Sequence, residues 1–133
     1  MASTLRYLLV LSLLLALVGC QPSDGLTEIS GQVLLDNVPV EKGTIKFDPA
    51  DGQGPSAEEK IIAGEFKGRV APGKKKVQIY GYKKVGEYHV TGPDSPLMDK
   101  LEQIVPAKYN EATTLEETIA AGQKPLKYEL STK

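Results

Sequence analysis

From Thr27 to Leu130, apolar side chains return at alternate positions, and turn residues cut the pattern into short runs. A period of two marks half-buried strands, whose successive side chains face opposite sides. This feature restricts the chain to an all-β fold. In the first run Ile29, Gly31, Val33 and Leu35 share one face, with Ser30, Gln32 and Leu34 on the other. Asp36-Asn37 is a turn signal, and Pro39 suits an edge or a strand start because it has no N–H to donate. Alternation restarts at Gly43, with Ile45 and Phe47 inward. Glu59 to Ala63 and Glu65 to Val70 read as a tight pair joined through Ala63-Gly64, with Phe66, Gly68 and Val70 inward. Lys74 to Tyr82 is the clearest run: Val77 and Ile79 point in, while Lys76, Gln78, Tyr80 and Tyr82 point out. Leu115 to Ala120 is weaker, because Leu-Glu-Glu-Thr-Ile also suits a helix and turns Glu117 inward. Leu126, Tyr128 and Leu130 make the last strand. About seven short strands at regular spacing specify a β-sandwich, with Phe47, Phe66, Val77, Ile79 and Tyr128 expected between the sheets.

The N-terminus follows different rules. Arg6 precedes an apolar run from Leu8 to Val18 that only Ser12 interrupts. A helix of that length is too short for a hydrocarbon core of about 30 Å. It has the length of a signal-peptide core, so residues 1–19 are read as a signal-peptide helix. Leu17-Val18-Gly19-Cys20 resembles the lipobox of bacterial lipoproteins. The resemblance implies cleavage between Gly19 and Cys20 and diacylglycerol on the Cys20 sulfur, with an acyl chain such as palmitate anchoring the chain to a membrane. The alternative is an ordinary signal peptide whose cysteine is incidental. Residues 20–26 form a short lipidated tether and residues 27–133 the folded domain. Gln21 is not the aspartate that commonly retains such lipoproteins at the inner membrane, which points to the outer membrane or a periplasmic face.

The strand pattern carries a second resemblance. Ser30-Gly31-Gln32-Val33-Leu34-Leu35-Asp36-Asn37-Val38-Pro39-Val40, then Gly43-Thr44-Ile45-Lys46-Phe47, is similar to the carboxypeptidase regulatory-like domain. So are Ala63-Gly64-Glu65-Phe66, Ala71-Pro72-Gly73-Lys74 and the strand from Val77 to Tyr80. Val105-Pro106-Ala107-Lys108-Tyr109-Asn110 looks like a late segment of small bacterial lipoproteins of that kind. The resemblance implies a seven-stranded transthyretin-like (prealbumin-like) sandwich. It carries turn glycines and core positions but no catalytic motif, and a fold alone does not assign a function.

Removing residues 1–19, which hold Arg6 and no acid, leaves 15 basic and 17 acidic side chains of the 16 and 17 in the whole chain. That balance argues against nucleic acid as a partner. Cys20 is the only cysteine, so a lipidated chain has no disulfide and depends on packing. His89 is the only histidine. A hydrolase of the transthyretin-like 5-hydroxyisourate type requires a pair of histidines, an arginine and a C-terminal Tyr-Arg-Gly-Ser, whereas this chain ends Tyr128-Glu129-Leu130-Ser131-Thr132-Lys133. A zinc site needs several convergent ligands, and no Gly-x-Ser-x-Gly elbow is present. No catalytic residue, metal site or cofactor is therefore expected. Asp48 to Gly54 reads as a turn rather than a calcium loop, having too few carboxylates. Lys74, Lys75, Lys76, Lys83 and Lys84 form a basic cluster, read as a solvated strand face or a surface for anionic lipid or acidic glycan.

The remaining stretch, Lys83 to Thr113, is long for a connection in a compact domain. Ser95-Pro96 reads as a helix start, Leu97 and Leu101 share a helical face, and Pro106 ends the helix. An ordered excursion over one end of the sandwich is expected, displaying Lys84, Tyr88 and His89 and closed by Tyr109, in the manner of a tyrosine corner. It is either the surface for a partner or an insertion without a role. Two readings follow. One is a non-catalytic binding or structural module of the cell envelope that meets an envelope protein; the other is a carbohydrate-binding surface lipoprotein whose exposed tyrosines stack on sugars.

Overall fold

The structure, a computed structural model, describes residues 24–133. The proposed signal-peptide helix, its cleavage pair Gly19-Cys20 and the lipidation site lie outside the described residues. The described chain is all-β: one curled sheet and a single 3₁₀ turn at Ala107–Tyr109. The strands are β1 (Thr27–Leu35), β2 (Val38–Pro39), β3 (Lys42–Pro49), β4 (Ala57–Ile62), β5 (Glu65–Val70), β6 (Gly73–His89), β7 (Leu97–Gln103), β8 (Glu116–Ile119) and β9 (Leu126–Leu130). Nine strands replace the seven expected. The short pairing of Val38–Pro39 against Leu34 and Leu35 forms a strand of its own, and the excursion contributes β7.

The sheet curls so that two halves face each other across one core. One half is β1 with β5 and β2 on one side and β9, in parallel register, on the other. The other half is β4-β3-β6, with β7 and β8 pairing different lengths of β6. Two hairpins have both turn residues at positive φ: Asp36 (49°) and Asn37 (67°), and Ala63 (51°) and Gly64 (80°). Such turns match the right-handed twist of paired strands. Gly64 is further constrained, since a Cβ there would come within 2.6 Å of Pro39.

The inward residues are those that alternation selected. Ile29, Val33, Ile45, Phe47, Phe66, Val70, Val77, Ile79, Tyr128 and Leu130 are all buried. Phe66 lies at the centre, its ring centroid 6.2 Å from that of Phe47 and 6.2 Å from that of Tyr128. Gly31 makes room for it: a Cβ at that position would sit 2.6 Å from the Phe66 ring. Tyr128 carries its hydroxyl into the core, where it has no hydrogen-bond partner among the described residues. Burial raises its pKa, and the nearby Glu117 charge adds to the rise.

The excursion departs most from expectation. Leu97–Gln103 is a strand, not a helix, and it pairs with an extension of β6 that runs on to His89. A helix of two turns is marginal by itself, whereas strand pairing here continues a ladder already laid down by β3 and β6. Ser95 does not cap a helix. Its hydroxyl donates to the Gly92 carbonyl at 2.8 Å and accepts the Thr91 N–H at 3.1 Å, closing the tip turn. The ladder slips by one residue at Val85, between the pairs Lys84–Leu101 and Gly86–Lys100. This is a β-bulge.

The excursion's second half returns to the core. Asn110 is buried, and its amide donates to the carbonyls of Val105 and Pro106 at 3.2 Å each and of Ile79 at 3.4 Å. Thr113, also buried, donates to the Val77 carbonyl at 2.7 Å. These two side chains fasten residues 104–113 to β6.

Candidate functional site

β6 is 17 residues long, about 55 Å at the usual strand rise. Its first half is covered by the body of the domain. Among the described residues, 83–89 pair only with β7, so residues 83–89 and Leu97–Gln103 form a two-stranded arm. The described chain enters at the opposite end of β6. The Asp24 carboxylate accepts from the Arg69 guanidinium at 2.7 Å, and Thr27 pairs with Val70, just before the turn into β6. The arm therefore points away from where the chain enters.

Among the described residues nine large apolar side chains are exposed, and six belong to the arm and its tip: Val85, Tyr88, Val90, Leu97, Met98 and Leu101, between 42% and 56% exposed. Register assigns most of these to faces. Tyr88 lies opposite Met98, beyond the row of Lys83 with Glu102 and Gly86 with Lys100, on the face that continues from the core-facing Gly81. His89 opposite Leu97, Glu87 opposite Asp99 and Lys84 opposite Leu101 make the other face.

That second face is held by an ion ladder. The Lys84 ammonium donates to Asp99 at 2.8 Å and Glu87 at 2.5 Å, and Lys42 approaches Asp99 at 3.9 Å. The hydrogen bonds to Asp99 and Glu87 push the Lys84 pKa up to about 12, and the same bond holds the Asp99 carboxyl below its usual value. Each pair is exposed and adds little to global stability. Two of them lie within the arm, and the Lys42–Asp99 approach is the one that links it to β3.

The four residues singled out from sequence do not form one cluster. Lys84 is engaged in the ladder. His89 sits at the tip, its Nδ1 2.8 Å from the Ser95 carbonyl, where it closes the turn. Tyr88 is on the opposite face and is exposed. Tyr109 is on the 3₁₀ turn, half-buried against the core, and its hydroxyl accepts the Ser131 N–H at 3.1 Å. Tyr109 thus ties down the C-terminal segment and is not part of the arm. Asn110 and Thr113, which sequence reasoning passed over, hold the base of the excursion.

The run of lysines does not form a basic face either. Lys74 pairs with Glu116 at 2.7 Å, Lys75 is buried opposite Glu117 and Pro49, and Lys84 belongs to the ladder. The loop at residues 48–54 is a turn: Asp48 accepts the Ser56 hydroxyl at 2.5 Å and Asp51 accepts the Gln53 N–H at 2.8 Å. Among the described residues no three His, Cys, Asp or Glu side chains converge on a point that would hold a metal. No helix of the described residues is long and apolar enough to cross a membrane.

No family model matches the chain, and no curated protein matches it. A crystal structure of a "putative adhesin" from Bacteroides ovatus is similar in part, at 15% sequence identity and a TM-score of 0.44. The similarity covers 86% of this chain and 48% of that one, so this chain spans about half the neighbour's length. A likeness at that level leaves the arm's role to be argued from its own chemistry.

Proposed function

We propose that this chain is a lipid-anchored, extracytoplasmic binding module of the bacterial envelope, without catalysis, that engages a protein through its arm. The observation that carries the reading is the concentration of exposed apolar side chains on one arm. These side chains divide between the arm's two faces and its tip, and exposed apolar groups gathered on one element mark an interaction surface. The arm offers Tyr88 beside Met98 on one face, an aromatic and a flexible thioether of the kind that protein interfaces favour. A glycan surface would instead need several exposed rings, and Tyr80 and Tyr82 are half-buried.

Two further readings support this one. Leu17-Val18-Gly19-Cys20 supplies a lipidation signal. Cys20 lies four residues before Asp24, whose ion pair with Arg69 fastens the chain to the domain. A tether of that length reaches about 14 Å at most, so the domain stands close to the bilayer with its arm directed outward. The sheet, with β1 parallel to β9 and the β4-β3-β6 half opposite, is read as a transthyretin-like sandwich of the carboxypeptidase regulatory-like kind.

Mass spectrometry of the chain purified from membranes tests the anchor. A mature N-terminus at Cys20 carrying diacylglycerol is expected, and an unmodified Cys20 refutes it. A photo-reactive side chain at Met98, activated in intact cells, tests the surface. A discrete protein adduct should form there, weaken in the Tyr88→Ser chain, and be missing when the probe sits at Lys67 on β5. Equal labelling from Met98 and Lys67 excludes the arm as the site.

A further inference from the structure

Among the described residues the outer edge of β7 is unpaired, and its sequence is complementary to itself. Ile104 donates its N–H to Gly81 at 2.8 Å, in step with the pairs Gln103–Tyr82 and Glu102–Lys83. Backbone groups of successive residues point to opposite sides of a strand. The N–H and C=O of Gln103, Leu101 and Asp99 therefore point to the open side. No other described strand pairs with this edge. An open edge of this kind is a template for another strand.

We propose that the strand it takes is β7 of a second copy of this chain, added antiparallel about a two-fold axis through Leu101. That register sets Leu101 against Leu101. It sets Lys100 against Glu102 and Glu102 against Lys100, so this ion pair occurs twice. Asp99 and Gln103 fall opposite each other, again in duplicate. Opposite charges on directly facing residues stabilise a sheet, and like charges destabilise it. The neighbouring two-fold registers fail on this count. An axis through Lys100 puts two lysines face to face, and an axis through Glu102 puts two glutamates face to face.

The existing ion pairs point the same way. Lys84, Glu87, Asp99 and Lys42 are engaged in the ladder, whereas neither Lys100 nor Glu102 has an ion-pair partner among the described residues. Charged side chains on an edge ordinarily guard it against indiscriminate pairing. Here the charges also single out one register of one partner, which is how an interface obtains specificity. The association uses the edge of the arm and leaves the Tyr88–Met98 face uncovered. It therefore stands apart from the lipid anchor and from the protein-binding reading.

Charge reversal separates this pairing from any other. The full chain, kept in detergent and read by native mass spectrometry, should show a dimer. The Lys100→Glu change sets a carboxylate against Glu102 in duplicate, and the Glu102→Lys change sets an ammonium against Lys100 in duplicate. Each variant alone should dimerise about tenfold more weakly or worse. Mixed together, with one isotopically labelled, they should form the heterodimer, because every facing pair then has opposite signs. The double variant Lys100→Glu/Glu102→Lys should regain the homodimer. A wild-type chain that stays monomeric overturns the proposal and leaves the edge to a strand from a different protein. Single variants that dimerise like the wild type, or a mixture that does not pair, overturn it equally.

Discussion

Replacing Phe66 by alanine tests the centre of the fold. Phe66 is 3% exposed, and its ring sits among Phe47, Tyr128 and the bare backbone of Gly31. Removing the ring forfeits about 2 to 3 kcal/mol of apolar transfer. The remainder depends on whether the hole collapses. Gly31 has no side chain to swing into it, and Phe47 and Tyr128 are held by their own strands on opposite halves of the sheet. Little collapse is expected, and the total comes to about 4 kcal/mol. A domain of this size has about 5 to 15 kcal/mol in all, so the variant should melt on the order of 20 °C lower. The assay is urea unfolding followed by tyrosine fluorescence and by circular dichroism, with coincident curves and an unchanged slope. A loss below about 1 kcal/mol would refute a core built around this ring.

Asn110→Ala removes the amide that serves the Val105, Pro106 and Ile79 carbonyls. It should cost about 1 to 3 kcal/mol, and hydrogen exchange should accelerate first at Tyr109, Ala112 and Thr113, whose N–H groups bond within the segment it fastens. Ala63→Asn relieves a left-handed alanine at φ 51°. It should stabilise by about 0.5 to 1 kcal/mol in thermal unfolding, and a neutral or destabilising result would count against that turn. Asp99 has its pKa lowered by the Lys84 hydrogen bond, so its contribution to the arm is complete above its unfolded value of 3.8 and is lost as pH falls through the lower folded value. Carboxyl NMR should show Asp99 titrating below 3.8, with arm amides losing protection before those of β3; titration at or above 3.8 would remove the ladder.

Most of the body of the domain was legible from the sequence because its strands bury one face, and burial writes a period of two. Ile45, Phe47, Val77, Ile79 and Tyr128 are where that period puts them. Lys75 obeys it too: it shares the inward parity of Val77 and is buried, although a run of three lysines reads as a solvated face. The arm was not legible, for the complementary reason. Leu97–Gln103 is exposed on both faces, so no burial pattern marks it as a strand, and Leu97 with Leu101 mimics a helical repeat. Its pairing with β6 is a tertiary fact. The roles of Asn110 and Thr113 were hidden likewise, since a buried polar side chain is recognisable only by the carbonyls it meets. Tyr109 offered a signal, its place just before the last strands, and it fulfils a tethering role toward Ser131.

The bulge at Val85 gives the arm one residue of slack. The register of lower β6 is dictated by the core, through Val77 and Ile79 against Phe47 and Ile45. The register of the tip is dictated locally, by the His89–Ser95 and Thr91–Ser95 bonds that close the turn. Nothing obliges these two frames of reference to agree, and they differ by one position. A chain lacking Val85, or lacking Glu87, would anneal the bulge and keep Tyr88 opposite Met98. A deletion in β7 would have no such reserve to draw on. Core and tip thus set their registers independently, and Val85 absorbs the difference between them.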